Sequence, residues 1–351
     1  MHNKEDKIKH IFDVAKLTRT PISCSVEITQ RCNFECPHCF IKGIGYRLLR
    51  FDQFTRFIDQ FRAHGGLFIS LTGGEVLLHP DFIEMYLYAH KKGLSVTVFT
   101  NGYLINHRII ELFSSFPPRK IEISMYGANE NTYSAVTKQP GAYSKVIESI
   151  EALSQHKINV HLKSTLFRHN YLDLLSMKQF AEERKLPFRY DFKLMPKRNG
   201  EKTNLECQLS PDQIVAMELE ENEKRKKTWS DNYPADKKAV MDHTNYLFNC
   251  GAARYSCYLS SENQMRICAA ATFSSQDMDT ITFLEAWKDY EKYTKLFVNQ
   301  ESKCIGCASA SLCDICPIWG YIINDDIDCL GKEVELHCSL ANERIKVLSN
   351  A

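Results

Sequence analysis

The most constraining feature of this sequence is an alternation of short apolar segments with amphipathic segments through the first 195 residues. The apolar segments predict six strands, at Ser23–Ile28, Leu67–Thr72, Ser95–Thr100, Lys120–Ser124, Asn159–Thr165 and Phe188–Leu194. The amphipathic segments carry apolar residues at i, i+3 and i+4 and predict helices at Phe51–Ala63, Asp81–Lys92, Ile105–Ser114, Tyr143–Gln155 and Tyr171–Arg184. Alternating strands and helices form a parallel sheet with crossover helices, so the predicted fold class is α/β. In such folds the functional groups lie at the C-terminal ends of the strands.

The composition is ordinary except for 14 cysteines in 351 residues. Lys and Arg number 44 against 43 Asp and Glu, and this balance argues against a nucleic-acid partner, which favours a basic excess. No apolar run reaches membrane-spanning length, and the N-terminal segment MHNKEDKIKHIF has no apolar signal core. We therefore expect no membrane partner and a cytoplasmic location. In that compartment disulfides are disfavoured, and clustered thiols indicate metal ligands.

The cysteines fall into an N-terminal group and a C-terminal group, with only Cys207 between Cys39 and Cys250. This distribution predicts one site directly after the first strand and a second, cysteine-rich domain near the C-terminus. The helix that opens at Ser210-Pro211 falls in the connection between them. The predicted organisation is an N-terminal extension, a barrel, a linker with a helix and a cysteine-rich domain, at residues 1–19, 20–197, 198–244 and 245–351.

The N-terminal group, in TQRCNFECPHCF, has the spacing C-x3-C-x2-C over Cys32, Cys36 and Cys39. Three thiolates on one loop can hold three irons of a four-iron cluster and leave the fourth iron without a protein ligand. An electron-transfer cluster normally has four cysteines, so the open iron predicts a site that a small molecule chelates. The alternative is a zinc loop completed by His38 or by a distant residue.

This loop strongly resembles the cluster motif of radical S-adenosylmethionine (SAM) enzymes. The resemblance implies a partial (β/α)6 TIM-like barrel in which the methionine amine and carboxylate of SAM chelate the open iron. It also implies that His38, which precedes the third cysteine, lies near the adenine. Gly73-Gly74-Glu75 follows the second strand and is similar to the family's GGE motif for the methionine amine, although Val76 stands where proline is usual.

Further SAM contacts are implied by the same resemblance. Asn101 ends the third strand within Thr100-Asn101-Gly102, as in many members of the family. On the fourth and fifth strands, the family resemblance assigns the ribose hydroxyls to Glu122 and Ser124, and the SAM carboxylate to Lys163 and Ser164. The alternatives are a plain turn for the first, a polar lining of the barrel for the second and a structural salt bridge for the third.

The C-terminal cysteines resemble the SPASM extension of radical SAM peptide maturases, where they hold two auxiliary clusters. By position, the first set would be Cys250, Cys257, Cys268 and Cys316, and the second Cys304, Cys307, Cys313 and Cys338. The resemblance therefore implies three [4Fe-4S] clusters in all and leaves Cys24, Cys207 and Cys329 spare. Cys329 could replace Cys338 as a ligand. The spacing departs from the common pattern in two gaps, and a pair of zinc sites is the alternative.

The resemblance implies an enzyme that cleaves SAM reductively to a 5′-deoxyadenosyl radical, which removes a hydrogen atom from its substrate. The expected substrate is a ribosomally made peptide, which would gain a thioether or C–C crosslink or another modification. The alternatives are a sulfatase-type formylglycine maturase, a small-alcohol dehydrogenase, and a non-enzymatic electron carrier or zinc-stabilised interaction protein. Asp191 on the sixth strand is a candidate acid or base, although it also fits an ordinary polar strand position.

The expected partners follow from that activity. They are a precursor peptide and a flavodoxin- or ferredoxin-type reductant. Few residues precede Ser23, too few for a leader-binding domain. We therefore expect any leader peptide to be bound by a separate protein or by the barrel itself.

Overall fold

The structure is a computed structural model that describes residues 4–43, 45–221, 224–233, 246–299, 301–307, 309–313, 316–324 and 335–349. Nine strands within these ranges form one sheet in the order β6-β5-β4-β3-β2-β1-β7-β8-β9. Their bounds are β1 Ser23–Thr29, β2 Phe68–Gly73, β3 Ser95–Thr100, β4 Lys120–Ser124, β5 Val160–Thr165, β6 Phe188–Asp191, β7 Ser256–Leu259, β8 Gln264–Arg266 and β9 Gln276–Asp277.

The first six strands are parallel neighbours in chain order, which confirms the α/β prediction. Their bounds agree with the predicted ones to within three residues. The sixth strand differs most, because it ends at Asp191 rather than Leu194. After Asp191 the chain turns away from β5, and Leu194 donates its backbone N–H to the side chain of Gln208 at 2.8 Å.

Thirteen α-helices are described: α1 Lys4–Thr18, α2 Phe51–Ala63, α3 Phe82–Lys91, α4 His107–Ser115, α5 Glu130–Thr137, α6 Ala142–Gln155, α7 Leu174–Glu183, α8 Pro211–Glu221, α9 Lys224–Asn232, α10 Phe283–Asp289, α11 Glu291–Thr294, α12 Pro317–Asn324 and α13 Glu335–Ser349. Helix α2 has the predicted bounds, because Phe54, Phe57 and Phe61 form one buried stripe. Helices α1 and α5 were not predicted. Helix α1 has a weakly apolar sequence, and α5 spans only eight residues.

The core lies between the sheet and its helices. On β1, Cys24, Val26 and Ile28 are fully buried on one face, as the alternation of side chains along a strand requires. The opposite face of β1 carries Ser25 and Glu27. Polar groups therefore line the inner side of the curved sheet, and the apolar residues pack under the helices.

The C-terminal region continues the same sheet. Strand β7 pairs in parallel with β1, with Cys24 opposite Cys257, and β8 and β9 follow as antiparallel neighbours. Helix α8, in the predicted linker, is joined to α13 by a buried ion pair between Glu218 and Arg344 at 2.6 Å. None of the helices in the described ranges has the length and apolar character needed to cross a membrane.

Candidate active site

A cavity of about 520 Å³ lies at the C-terminal ends of the parallel strands. Each of the strands β2 to β6 contributes at least one residue from its C-terminal end, including Gly73 and Thr100. Exposed residues such as Tyr46, whose side chain is 80% exposed, form its rim. The cavity is therefore open to solvent and surrounded by the positions where this fold class holds its functional groups.

The three cysteines of the N-terminal loop all line this cavity. The loop is folded tightly: the backbone N–H of Cys39 donates to the carbonyl of Cys36 at 3.3 Å, and that of Phe34 contacts the Cys32 sulfur at 3.4 Å. Burial raises the pKa of Cys32 to about 11 and the pKa of Cys36 further, and neighbouring thiols add to both shifts. A bound cation has to displace those protons to form thiolate ligands.

The two glycines of the GGE segment are required by close backbone contact. A Cβ on Gly73 would lie 2.1 Å from the carbonyl oxygen of Thr29, and one on Gly74 would lie 2.2 Å from that of Arg31. The backbone N–H of Gly74 donates to Thr29 at 2.8 Å. The segment therefore lies flat against the chain that leads into the cysteine loop, and no side chain fits between them.

Glu75 is fully buried and does not line the cavity. Its carboxylate accepts hydrogen bonds from the Thr100 hydroxyl at 2.7 Å and from the backbone N–H of Asn101 at 2.6 Å and Leu77 at 3.1 Å. Burial raises its pKa, and the bond from Asn101 opposes that shift. Glu75 thus anchors the end of β3, and a carboxylate with about four acceptor positions has room for one more donor.

Asn101 connects this anchor to the cysteine loop. Its side-chain amide donates to Asn33 at 2.8 Å and lies 3.9 Å from the Cys32 sulfur. The structure therefore brings the GGE segment, the end of β3 and the first cysteine into one contact network.

Strands β4 and β5 form the opposite wall, where Ser124, Lys163 and Ser164 line the cavity. Burial lowers the pKa of Lys163 to about 8. Its ammonium group lies 4.1 Å from the centre of the Phe99 ring. Glu122 is 2% exposed and lies beneath the cavity, where it forms ion pairs with Lys120 and Arg189. The structure therefore does not bring the Glu122 carboxylate to the cavity, although its partner Arg189 does line it.

His38 lies in an aromatic pocket on the cavity wall. Its ring centre is 4.3 Å from that of Phe167 and 5.6 Å from that of Tyr126. Burial lowers the pKa of His38 to about 4, and the nearby His169 adds to the shift. The ring is therefore neutral near pH 7, when it can accept or donate one hydrogen bond. Tyr126, two residues beyond Ser124, was not predicted as a site residue, because no motif marks it.

Asp191 is exposed at the end of β6 and lines the cavity. Its side chain accepts a hydrogen bond from the backbone N–H of Lys193 at 3.1 Å. The position is reachable for a substrate in the cavity, which is what an acid or base requires.

The C-terminal cysteines gather from distant segments. Cys316 and Cys268 lie close enough to Cys250 for their charges to interact, and Cys304 does so with Cys307 and Cys338. Cys257 instead contacts the spare Cys24 across the β1–β7 pair. Cys313 is half-buried, Cys207 is buried, and Cys329 lies outside the described residues. No group of three or more His, Cys, Asp or Glu among the residues described converges on a single metal-ion site. Every ligand assignment therefore remains a prediction.

The polar groups on the cavity wall suit a ligand such as SAM. The Nδ1 atom of His38 and the hydroxyl of Ser164 are buried on its wall and have no hydrogen-bond partner in the described part of the chain. Such groups normally have partners, so a polar ligand is expected to supply them. The glycine segment allows close approach of that ligand, and three cysteines on one loop are the donor set of an iron–sulfur cluster.

Comparison with known proteins agrees with this geometry. Residues 26–181 match the family profile of the Radical SAM superfamily. This part of the chain is a radical SAM domain.

Two curated relatives and one solved structure illustrate the range of similar proteins. The AdoMet-dependent heme synthase of Methanosarcina barkeri is 24% identical over 88% of this chain and 95% of its own length. The antilisterial bacteriocin subtilosin biosynthesis protein AlbA of Bacillus subtilis is 30% identical, but over 45% of this chain and 36% of its own length. The crystal structure of Streptococcus suis SuiB bound to precursor peptide SuiA has a TM-score of 0.64 at 16% identity, and covers 91% of this chain and 78% of that one. The similarity to SuiB shows that this chain has the same fold.

Proposed function

We propose that this protein is a peptide maturase of the radical SAM superfamily. Its substrate is a ribosomally made peptide, which gains a thioether or C–C crosslink or another side-chain or backbone modification. The observation that carries the proposal is the open cavity, which is lined by the cysteine loop and by the exposed Tyr46 and Asp191. An extended peptide can enter such a cavity and present one side chain to the loop. AlbA and SuiB, whose names refer to a bacteriocin and a precursor peptide, support this substrate class.

The barrel residues divide into four roles under this proposal. Cys32, Cys36 and Cys39 hold the first cluster, and the residues placed to hold SAM are His38, Gly73, Gly74, Asn101, Ser124, Lys163 and Ser164. Glu75 acts through Asn101, and Glu122 acts through Arg189. The cluster and SAM supply a one-electron cleavage that yields a 5′-deoxyadenosyl radical. The protein holds the substrate carbon near that radical, excludes water, and offers Asp191 as the acid or base.

The C-terminal region is proposed to be a SPASM domain with two auxiliary [4Fe-4S] clusters and the domain bounds predicted above. The neighbourhood of Cys250, Cys268 and Cys316 supports the first set, and that of Cys304, Cys307 and Cys338 supports the second. Cys338 rather than Cys329 is therefore the proposed ligand. The required electron comes from a flavodoxin- or ferredoxin-type protein in the cytoplasm, and a separate protein or the barrel itself binds any leader peptide.

A tetrapyrrole substrate is the second candidate, and the coverage of the relatives favours it. The heme synthase of M. barkeri matches this chain over 95% of its own length, whereas AlbA matches over 36%. The cavity wall also carries the cationic side chains of Arg189 and Lys163, which suit the carboxylates of a tetrapyrrole.

The test is anaerobic reconstitution with iron and sulfide, followed by incubation with SAM and dithionite. We expect about twelve irons per chain, the content of three four-iron clusters, and formation of 5′-deoxyadenosine. Two kinds of substrate are then compared: short peptides from open reading frames that neighbour this gene, and Fe-coproporphyrin III. Loss of two hydrogen atoms from the peptide indicates a crosslink. Loss of carbon dioxide from the porphyrin, with the peptide unchanged, would replace the peptide proposal by the second candidate.

A further inference from the structure

A buried charged network lies where the barrel meets the C-terminal strands. Glu27 on β1 is 1% exposed. Its carboxylate accepts hydrogen bonds from Arg198 at 2.7 Å, from the Tyr258 hydroxyl at 2.6 Å and from the Ser261 hydroxyl at 2.8 Å. Burial opposes its ionisation, but these donors hold the pKa of Glu27 below its ordinary value. The network therefore contains an ionised carboxylate and a charged guanidinium.

Arg198 reaches from this network to the cysteine loop. Its backbone N–H donates to the carbonyl of Phe40 at 3.0 Å, and its guanidinium carbon lies 5.6 Å from the centre of the Phe40 ring. Phe40 directly follows Cys39 in the chain. These two contacts place a fixed positive charge beside the chain segment that carries a predicted ligand of the first cluster.

Arg266 occupies the corresponding place on the C-terminal side. It lies opposite Tyr258 in the β7–β8 pair and two residues before Cys268. It is 5% exposed, and its Nε–H donates to the Ser275 hydroxyl at 2.8 Å.

The buried charges of the network are not balanced. Two buried arginines face one buried carboxylate, and the acid that pairs with Arg266 at 3.8 Å, Glu262, is exposed to solvent. Both Nη1 of Arg266 and Nε of Arg198 are buried without a hydrogen-bond partner among the described residues. An unbalanced buried charge is destabilising, so an anion outside the network is expected to compensate it. Thiolate-bound iron–sulfur clusters are such anions.

We propose that Arg198 and Arg266, here called the buried arginine pair, are positioning residues that hold positive charge between the first cluster and the auxiliary cluster at Cys268, and thereby raise the reduction potentials of both. Positive charge stabilises the reduced state of a cluster, because that state carries one more electron. The arm of this inference that concerns Arg266 rests on the proposed auxiliary cluster. The arm that concerns Arg198 needs only the first cluster.

Two substitutions that change the charge in opposite directions test the proposal. Glu27→Gln keeps the shape of the side chain and leaves Arg198 unneutralised, so the midpoint potential of the first cluster should rise. Arg266→Gln removes a positive charge, so the midpoint potential of the auxiliary cluster should fall. Both potentials are measured by anaerobic redox titration of the reconstituted full-length protein, followed by electron paramagnetic resonance.

Three matched variants separate charge from structural damage. Arg266→Lys keeps the charge and should leave the potentials unchanged. Glu111→Gln makes the same charge change on the exposed outer helix α4 and should also leave them unchanged. The double variant Glu27→Gln with Arg198→Met removes both partners of the ion pair. Because net charge is then restored, the first-cluster potential should return towards that of the unaltered protein.

Shifts of the same sign in Glu27→Gln and Arg266→Gln, or no shift in either, would overturn the proposal. So would a double variant that keeps the full shift of Glu27→Gln. If Arg266→Gln does not retain iron, the Glu27→Gln and double variants decide the question on the first cluster alone. An iron content of four per chain would contradict the auxiliary clusters and leave the Arg198 arm intact. Failure to modify a peptide would contradict the peptide proposal without affecting either potential.

Discussion

The barrel carries four cysteines and the C-terminal region nine, and the two regions assemble them differently. In the barrel, Cys32, Cys36 and Cys39 lie on one loop after β1, and all three line the large cavity. In the C-terminal region the grouped cysteines come from segments up to 66 residues apart, as for Cys250 and Cys316. Among the described residues, the lining of that cavity extends no further along the chain than Met195. The site of SAM chemistry is therefore local to the barrel.

This difference suggests a division of labour. A group that lines the cavity can contact SAM and the substrate, whereas no C-terminal cysteine among the described residues lines it. The contact between the regions runs through the β1–β7 strand pair and the buried arginine pair. Variants that affect one region and spare the other test the division directly.

The largest effect is expected from replacing Cys32, Cys36 and Cys39 together by Ala. SAM cleavage should be abolished while about two thirds of the iron remains, because eight other cysteines are the proposed ligands of the auxiliary clusters. The measurements are 5′-deoxyadenosine formation and iron content after anaerobic reconstitution. Cys207→Ala, which removes a buried thiol of the connecting segment, is the control and should change neither. Cleavage that survives in the triple variant would disprove the assignment of the first cluster.

Cys316→Ala should have the converse effect. About one third of the iron should be lost, and turnover of the natural substrate should fall while unproductive SAM cleavage partly persists. Cys24→Ala should keep the full iron content. The iron content of Cys257→Ala tests whether Cys257 belongs to the first set of ligands, because the structure places Cys257 against Cys24. Iron loss in Cys329→Ala but not in Cys338→Ala would show that the second set is paired incorrectly.

Within the barrel, Gly74→Ala should lower the free energy of unfolding and weaken SAM binding. The added Cβ would meet the Arg31 carbonyl at 2.2 Å, and overpacking of this kind costs about 1–3 kcal/mol. Gly93→Ala is the control, because a Cβ there meets no atom within 4 Å and only its φ of +73° is strained. That variant should lower stability and leave the SAM affinity unchanged. Equal SAM affinity in both variants would remove the glycine segment from the site.

Glu75→Ala should weaken SAM binding by about 1–3 kcal/mol, since it leaves buried donors unpaired. Those donors are the backbone N–H of Asn101 and the hydroxyl of Thr100. Thr100→Val removes a single one of these bonds and should have the smaller effect. Anaerobic calorimetric titration with SAM provides the comparison. An affinity unchanged by Glu75→Ala would show that the anchor at β3 does not support the SAM site.

The smallest effect concerns pH. Burial lowers the pKa of Lys163 to about 8. Below that pH the ammonium is charged and can bind a carboxylate, so the SAM affinity should be constant there and decline as the pH rises above about 8. Lys163→Arg keeps its charge throughout this range, so its SAM affinity should not decline. A decline that persists in Lys163→Arg would assign the titration to another group.

The sequence by itself determined the secondary structure and the cysteine loop, because these features depend on residues that are close together in the chain. The six parallel strands, the bounds of α2 and the loop that carries Cys32, Cys36 and Cys39 were all predicted, because periodicity and spacing act over a few residues. The need for glycine at Gly73 was also visible from its motif.

Tertiary structure alone decided the relations between distant segments. It placed β7 beside β1, brought Cys257 to Cys24, and set Arg198 between the cysteine loop and Tyr258. The alternation of side chains predicts Glu122 and Ser124 on the same face of β4. In the structure Ser124 lines the cavity, whereas the Glu122 carboxylate pairs with Lys120 and Arg189 and does not line it. The physical reason is that strand pairing and the pairing of buried charges depend on which segments meet in the folded chain. Strand pairing and charge pairing between distant segments leave no periodic pattern in the sequence of either segment.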